Sequence, residues 1–107
     1  KIPEFIAMGL NMYSIRKDLF EIFQNAVHEQ LGPKYGLKYA MIQRASRPEF
    51  GDYQANFAMS LSKLRGENPK VLADAIIQHV LATEIEGVPI FAKLESAGPG
   101  FINISLT

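Results

Sequence analysis

Ala97-Gly98-Pro99-Gly100-Phe101-Ile102-Asn103-Ile104-Ser105-Leu106 is the stretch from which the rest of the chain can be read. Gly98-Pro99-Gly100 turns the backbone, and the residues after it alternate: Ile102, Ile104 and Leu106 fall on one side, Phe101, Asn103 and Ser105 on the other. Period two is the mark of a strand with one buried face. Upstream, Ile90, Ala92 and Leu94 alternate with Phe91, Lys93 and Glu95, so the two runs are expected to form a hairpin with Ile90, Ala92 and Leu94 turned to the core.

Three helices are expected before it. Ile15, Leu19, Ile22, Phe23, Ala26 and Val27 return one apolar face every three to four residues until Gly32-Pro33 stops the pattern. A short strand is expected over Tyr39 to Gln43, followed by a loop over residues 46–51. Asp52 is then in place to cap a second helix with the stripe Tyr53, Phe57, Leu61 and Leu64, closed by Gly66. Asn68-Pro69 opens a third, since Asn accepts from orphan amides and Pro at the first helical position loses no bond. Its broad face of Leu72, Ala73, Ile76, Ile77, Val80 and Leu81 needs a sheet to lie on, and Glu86-Gly87-Val88-Pro89 breaks the chain before the hairpin. The fold class expected is α+β, a small antiparallel sheet with amphipathic helices packed on one face. Residues 1–11 show no period and read as a linker or non-native leader, with Met8 and Met12 as candidate starts and the domain running over residues 12–107.

At 107 residues with 48% hydrophobic content, one modest core is the expectation. The absence of cysteine excludes disulfides and thiolate metal sites, and no apolar run approaches the roughly 20 residues that span a bilayer. A cytoplasmic protein without membrane contact is expected. Eleven basic residues balance eleven acidic ones, so no net field draws the chain to nucleic acid. Locally, Lys34, Lys38, Arg44 and Arg47 lie in a stretch free of acids between Glu29 and Glu49, which reads as a phosphate-facing patch or as ordinary solvated surface.

Most apparent catalytic spellings dissolve on inspection. Ser14-Ile15-Arg16-Lys17 and Ser60-Leu61-Ser62-Lys63 have the spacing of a serine acylase without its partner motifs, and helical periodicity explains both. The glycines at 98 and 100 precede a strand, not a helix that could aim its amides at phosphate. Asn103-Ile104-Ser105 spells a glycosylation site without a secretion signal. His28 and His79 have no acidic or histidine partner at ligand spacing and read as surface or interface residues; Glu84 and Glu86 read as solvated. We therefore expect no catalytic residues, no metal and no cofactor within these residues.

Phe101 is the exception. Period two puts it on the polar side of its strand beside the amide of Asn103. A flat ring next to an amide suits an unpaired base, the ring by stacking and the amide by reading a base edge. A ring folded over a neighbouring helix or across the hairpin remains the competing reading.

Phe50-Gly51-Asp52-Tyr53-Gln54-Ala55-Asn56, Asn68-Pro69-Lys70 and Ala97-Gly98-Pro99-Gly100-Phe101-Ile102-Asn103 together, in this order and spacing, resemble the signatures of the arginyl-tRNA synthetase N-terminal domain. The resemblance covers about Met12 to Thr107. It implies an α+β domain that touches the outer corner of tRNA and recognises a D-loop nucleotide. The side chains so implied are those of the Gly98-Pro99 turn and the strand after it, Phe101 and Asn103, with Gln54, Asn56, Arg44 and Arg47 as secondary nucleic-acid contacts and Gly51 and Asp52 mainly architectural. Where the family has an amide before the turn this chain has Ala97, and Gly100 lengthens the turn, so stacking and backbone contact are implied more than base-specific reading. The family's chemistry, arginine activation with ATP and magnesium followed by transfer to tRNA, resides in a separate catalytic domain with HIGH-like and KMSKS-like motifs, neither of which is in this sequence. The partners implied are tRNA and that catalytic domain. A monomer is expected, and a structural docking or oligomerisation module is the alternative role.

Overall fold

The computed structural model describes residues 15–107. The readings of residues 1–11, of Met8 and Met12 and of Ser14 lie outside that range. Helix α1 (Ile15–Leu31) is followed by β1 (Ile42–Arg44), β2 (Tyr53–Ala55), α2 (Phe57–Arg65), α3 (Pro69–Val80), a two-stranded ribbon of β3 (Glu84–Ile85) and β4 (Val88–Pro89), and the hairpin β5 (Phe91–Ala97) and β6 (Phe101–Leu106). The main sheet is antiparallel with the order β1-β2-β6-β5. The last strand in sequence is thus central, with β2 on one side and β5 on the other.

Helix α3 packs against both α1 and α2 and lies on β5 and β6, covering one face of the sheet. Phe23 of α1, Phe57 of α2 and Phe91 of β5 meet in the core, the Phe23 ring centroid 5.7 Å from Phe57 and 6.0 Å from Phe91. Ile42, Ala55, Ile102 and Ile104 supply the sheet's half of the core. The amphipathic face of α1, the Asn68 cap, which accepts from the amides of Lys70 and Val71, and the β5–β6 hairpin follow the sequence reading.

Several local expectations are corrected. Tyr39–Met41 is a single 3₁₀ turn, closed by the amide of Met41 on the carbonyl of Lys38, and the strand starts only at Ile42. Tyr53–Ala55 is a strand, not the first turn of α2. The four-residue spacing of Tyr53 and Phe57 mimics a helical stripe, but pairing with both β1 and β6 decides the conformation. Helix α2 accordingly starts at Phe57, and Leu64 points out of the core with 74% exposure. In β5 a register shift between Phe91 and Lys93 breaks the alternation, so Ile90 and Phe91 are both buried and Ala92 is exposed. Glu86-Gly87 is not a simple break: both residues take left-handed φ values, +53° and +80°, and close the β3–β4 ribbon as a tight hairpin turn.

Asp52 does not cap α2. Its amide donates to the carbonyl of Ile104 at 2.7 Å, its carboxylate accepts from the amide of Leu106 at 2.8 Å, and its carbonyl accepts from the amide of Ala45 at 3.0 Å. It therefore joins the β1 side of the sheet to the last strand. Gly51 makes this approach feasible. It sits at φ +91°, ψ −151°, a region essentially reserved for glycine, and a Cβ there would lie 2.6 Å from the Ile104 carbonyl oxygen. Gly51→Ala should lower the melting temperature by at least about 5 °C, since strain and displacement of β6 together cost more than ~1 kcal/mol. An unchanged melting curve would show that this bend is dispensable.

Candidate nucleic-acid interface

The register of the sheet sets Gln43, Gln54, Asn103 and Glu95 side by side, one from each strand. The adjacent row is Ile42, Ala55, Ile102 and Ser96, of which the first three are in the core. Alternation therefore places the polar row on the face away from the helices. Phe101, two residues before Asn103, shares that face at the hairpin end and is half-buried, outside the core cluster and the apolar residues packed around it.

The amides of this face are organised. Gln54 Nε2 donates to Asn103 Oδ1 at 2.8 Å, and Asn103 is only 7% exposed. Asn103 thus serves first to orient Gln54, whose side chain is the more accessible of the two. With one donor and one acceptor spent on each other, the pair keeps further N–H groups and the Gln54 carbonyl for another partner. Lys93 and Glu95, which sequence reasoning missed, flank the amides on β5 with their charges 3.4 Å apart. Their outward direction follows from alternation with Leu94, which pairs with the core residue Ile104; that Glu95 lies beside Asn103 depends on the cross-strand register.

The turn carrying Gly98 and Pro99 is closed by pairing of Ala97 with Phe101 and by the amide of Gly100 on the carbonyl of Ala97 at 3.3 Å. Gly98 and Pro99 are exposed, and a Cβ at Gly98 would stand 3.7 Å from Cδ2 of Phe101, so the ring lies along the tip of the hairpin. Gly100 is buried. At φ +124° a Cβ there would come within 2.9 Å of Pro69 Cβ and 3.4 Å of Ala58 Cβ, so the extra turn residue lets the hairpin rest on the start of α3. Lys70, one residue on, donates to Ser96 Oγ at 3.0 Å and to Asp74 Oδ2 at 3.3 Å. A hydrogen bond from Ser96, with help from Lys70, holds the Asp74 carboxyl below its ordinary pKa. A depressed carboxylate stabilises the fold at neutral pH and loses that contribution as pH falls through its folded pKa.

The remaining predicted residues are dispersed. Asn56 is exposed at the N-cap position of α2, but its side chain makes no capping bond. Arg44 follows Ile42 by two and so belongs to the helix-bearing face, where its guanidinium sits 5.9 Å from the Tyr53 ring centroid. Arg47 lies in the loop before the Pro48–Phe50 turn, exposed and loosely paired with Glu49 at 3.8 Å. Lys34 and Lys38 are on the α1–β1 loop. The acid-free stretch is therefore not one patch. His79, expected to be a surface or interface histidine, gains its partners through folding: Nε2 is 2.7 Å from Glu29 Oε1 and Nδ1 is 3.0 Å from Gln30 Nε2, both on α1. It is an interface histidine, and among the described residues no group of three or more potential ligands could hold a metal ion.

Taken as a class, this is an α+β domain whose open sheet face presents a ring and a pair of oriented amides. Residues 17–106 match the family model described as the arginyl tRNA synthetase N terminal domain. Arginine–tRNA ligases from Rippkaea orientalis and Fusobacterium nucleatum are similar to this chain at 38% and 43% identity, covering 89% and 85% of it. Solved arginyl-tRNA synthetases from Plasmodium falciparum and Thermus thermophilus superpose with TM-scores of 0.68 and 0.59, at 28% and 26% identity over 87% and 86% of the chain and 16% and 14% of theirs. The chain belongs to the arginyl-tRNA synthetase N-terminal domain family. It spans 15% of the length of the curated relatives named above.

Two measurements check the geometry of this face. Gln54→Ala and Asn103→Ala should be coupled by about 0.5–1.5 kcal/mol in a double-mutant stability cycle, as a direct hydrogen bond between them requires; additive losses would contradict it. Ser96→Ala should raise the pKa of Asp74 toward the ordinary carboxylate range, followed by NMR titration. An unmoved titration would remove Ser96 from that role.

Proposed function

We propose that this chain is the tRNA-contacting domain of an arginine–tRNA ligase, set against the outer corner of tRNA so that a separate catalytic domain can attach arginine with ATP and magnesium. The observation that carries the reading is the position of Phe101, on the helix-free face beside the Gln54–Asn103 amide pair, in a domain whose family is that of the arginyl-tRNA synthetases. An unpaired D-loop base stacks on the ring. Gln54, oriented by Asn103, reaches the base edge, while Gly98 and Pro99 let the nucleotide approach the turn. Arg47 and Asn56 are peripheral contacts. Arg44, on the other face, is left out of this contact.

Nothing in this arrangement is a reaction centre; the domain contributes binding and positioning, which raise the occupancy of tRNA on the ligase. The partners are tRNA and the catalytic domain of the same protein. We assign residues 12–107 to this domain, a monomeric assembly and a cytoplasmic setting. Among the described residues, no helix is long and apolar enough to cross a membrane.

Phe101→Ala, placed in the whole ligase, should weaken tRNA binding by about 1–3 kcal/mol, roughly 5- to 150-fold, with an unchanged melting temperature. Unchanged tRNA affinity together with a lowered melting temperature would instead make Phe101 an anchor between domains and the module a structural one.

A further inference from the structure

On the helix-bearing side, away from Phe101, the α1–β1 loop and α2 enclose a groove of about 420 Å³. Its floor and rim are Met41, Leu61 and Leu64, with Lys38, Lys63, Ser60 and Gly36 around them. Lys38 and Lys63 are far apart in sequence and are brought to one opening only by folding. The lining contains no acidic residue, and among the described residues neither lysine is in an ion pair. Leu64 stands at this groove with 74% exposure. The size is that of a small-ligand pocket, about 300–1,000 Å³.

The groove is preformed. Gln24 Oε1 of α1 accepts from the amide of Leu37 at 2.7 Å, and the amide of Met41 closes the 3₁₀ turn on Lys38. Arg65, at the far end of α2, lies 5.2 Å from the Tyr35 ring centroid and is bound to Glu67, so it fastens the loop to the helix and is already engaged. Two ammonium groups are thereby left beside an apolar floor. Such a pairing complements a nucleotide, with the planar base on the floor and its flanking phosphates at the lysines.

We infer that this groove is a second RNA-contact site, which takes an unpaired nucleotide of the same tRNA with its phosphates on Lys38 and Lys63. The inference rests on the domain being a tRNA binder, but not on Phe101 being the stacking platform. A charge-bearing site of this kind has a signature that the stacking site lacks: each neutralised phosphate of an unpaired strand adds about 0.7 to the dependence of log K on log salt.

The test measures tRNA binding by the whole ligase across a salt series, for Lys38→Ala/Lys63→Ala, Leu64→Ala and Phe101→Ala, with a melting curve for each. The double lysine variant should reduce the magnitude of the salt slope by about 1.4, and Leu64→Ala should weaken binding with the slope intact. An unchanged slope in a folded lysine variant overturns the groove as an RNA site, even if Phe101→Ala weakens binding and so keeps the first contact. If neither site alters affinity, both readings fall. A lowered melting temperature of the whole ligase in the lysine variant, with tRNA binding intact, would assign the groove to an acidic surface of the catalytic domain and also overturn the inference.

Discussion

Asp52 holds the last strand at two points, and most of the domain depends on that grip. Its amide takes the carbonyl of Ile104, its carboxylate takes the amide of Leu106, and its carbonyl accepts from Ala45 on the opposite side. A three-residue strand such as β2 has little pairing of its own, so the attachment of the sheet's β1 edge to β6 relies on this reinforcement. Gly51 allows it, because any Cβ would collide with the backbone being gripped. Once β6 is fixed, Ile102 and Ile104 are buried beneath the helices. The direction of Phe101 and Asn103 then has no remaining freedom, since a slip of one residue would exchange the two faces.

The three sequence signatures gain a common explanation from this strand. Gly51 and Asp52 pack against Ile104 and Leu106, Gln54 pairs with Asn103, and Pro69 receives Gly100. Segments distant in the chain are thus parts of one support around β6, and the Lys70–Ser96 bond adds a further tie between α3 and β5. The stacking role proposed for Phe101 would profit from such support. A ring that is already oriented loses less freedom when a base arrives than one that must be ordered by it.

Legibility in the sequence followed the range of the interactions. The helices α1 and α3 and the β5–β6 hairpin could be read because their periodicities are local and long enough to repeat. Tyr53–Ala55 could not: three residues contain too little alternation, Tyr53 and Phe57 imitate a helical spacing, and the strand exists through its neighbours on both sides. The fate of Arg44 was hidden for the same reason, because its face depends on where β1 begins. The outward position of Phe101 was legible from the alternation of Ile102, Ile104 and Leu106 alone. That Asn103 is nearly covered, and that Gln54 is the more accessible amide, required the cross-strand register. The pairing of Lys38 with Lys63, and of His79 with Glu29, arises only when helices and loops distant in the chain come together.

The fold thus separates two faces of the sheet, with apolar packing under one and a supported ring among polar side chains on the other. The most direct measurement is a structure of the full-length protein in the presence of tRNA, read at Phe101. If Phe101 is the stacking surface, an unpaired base should lie parallel to the ring at about 3.5–4 Å, with the Gln54 amide at its edge. A Phe101 ring packed against protein of the catalytic domain, with no nucleotide on the helix-free face, would contradict it.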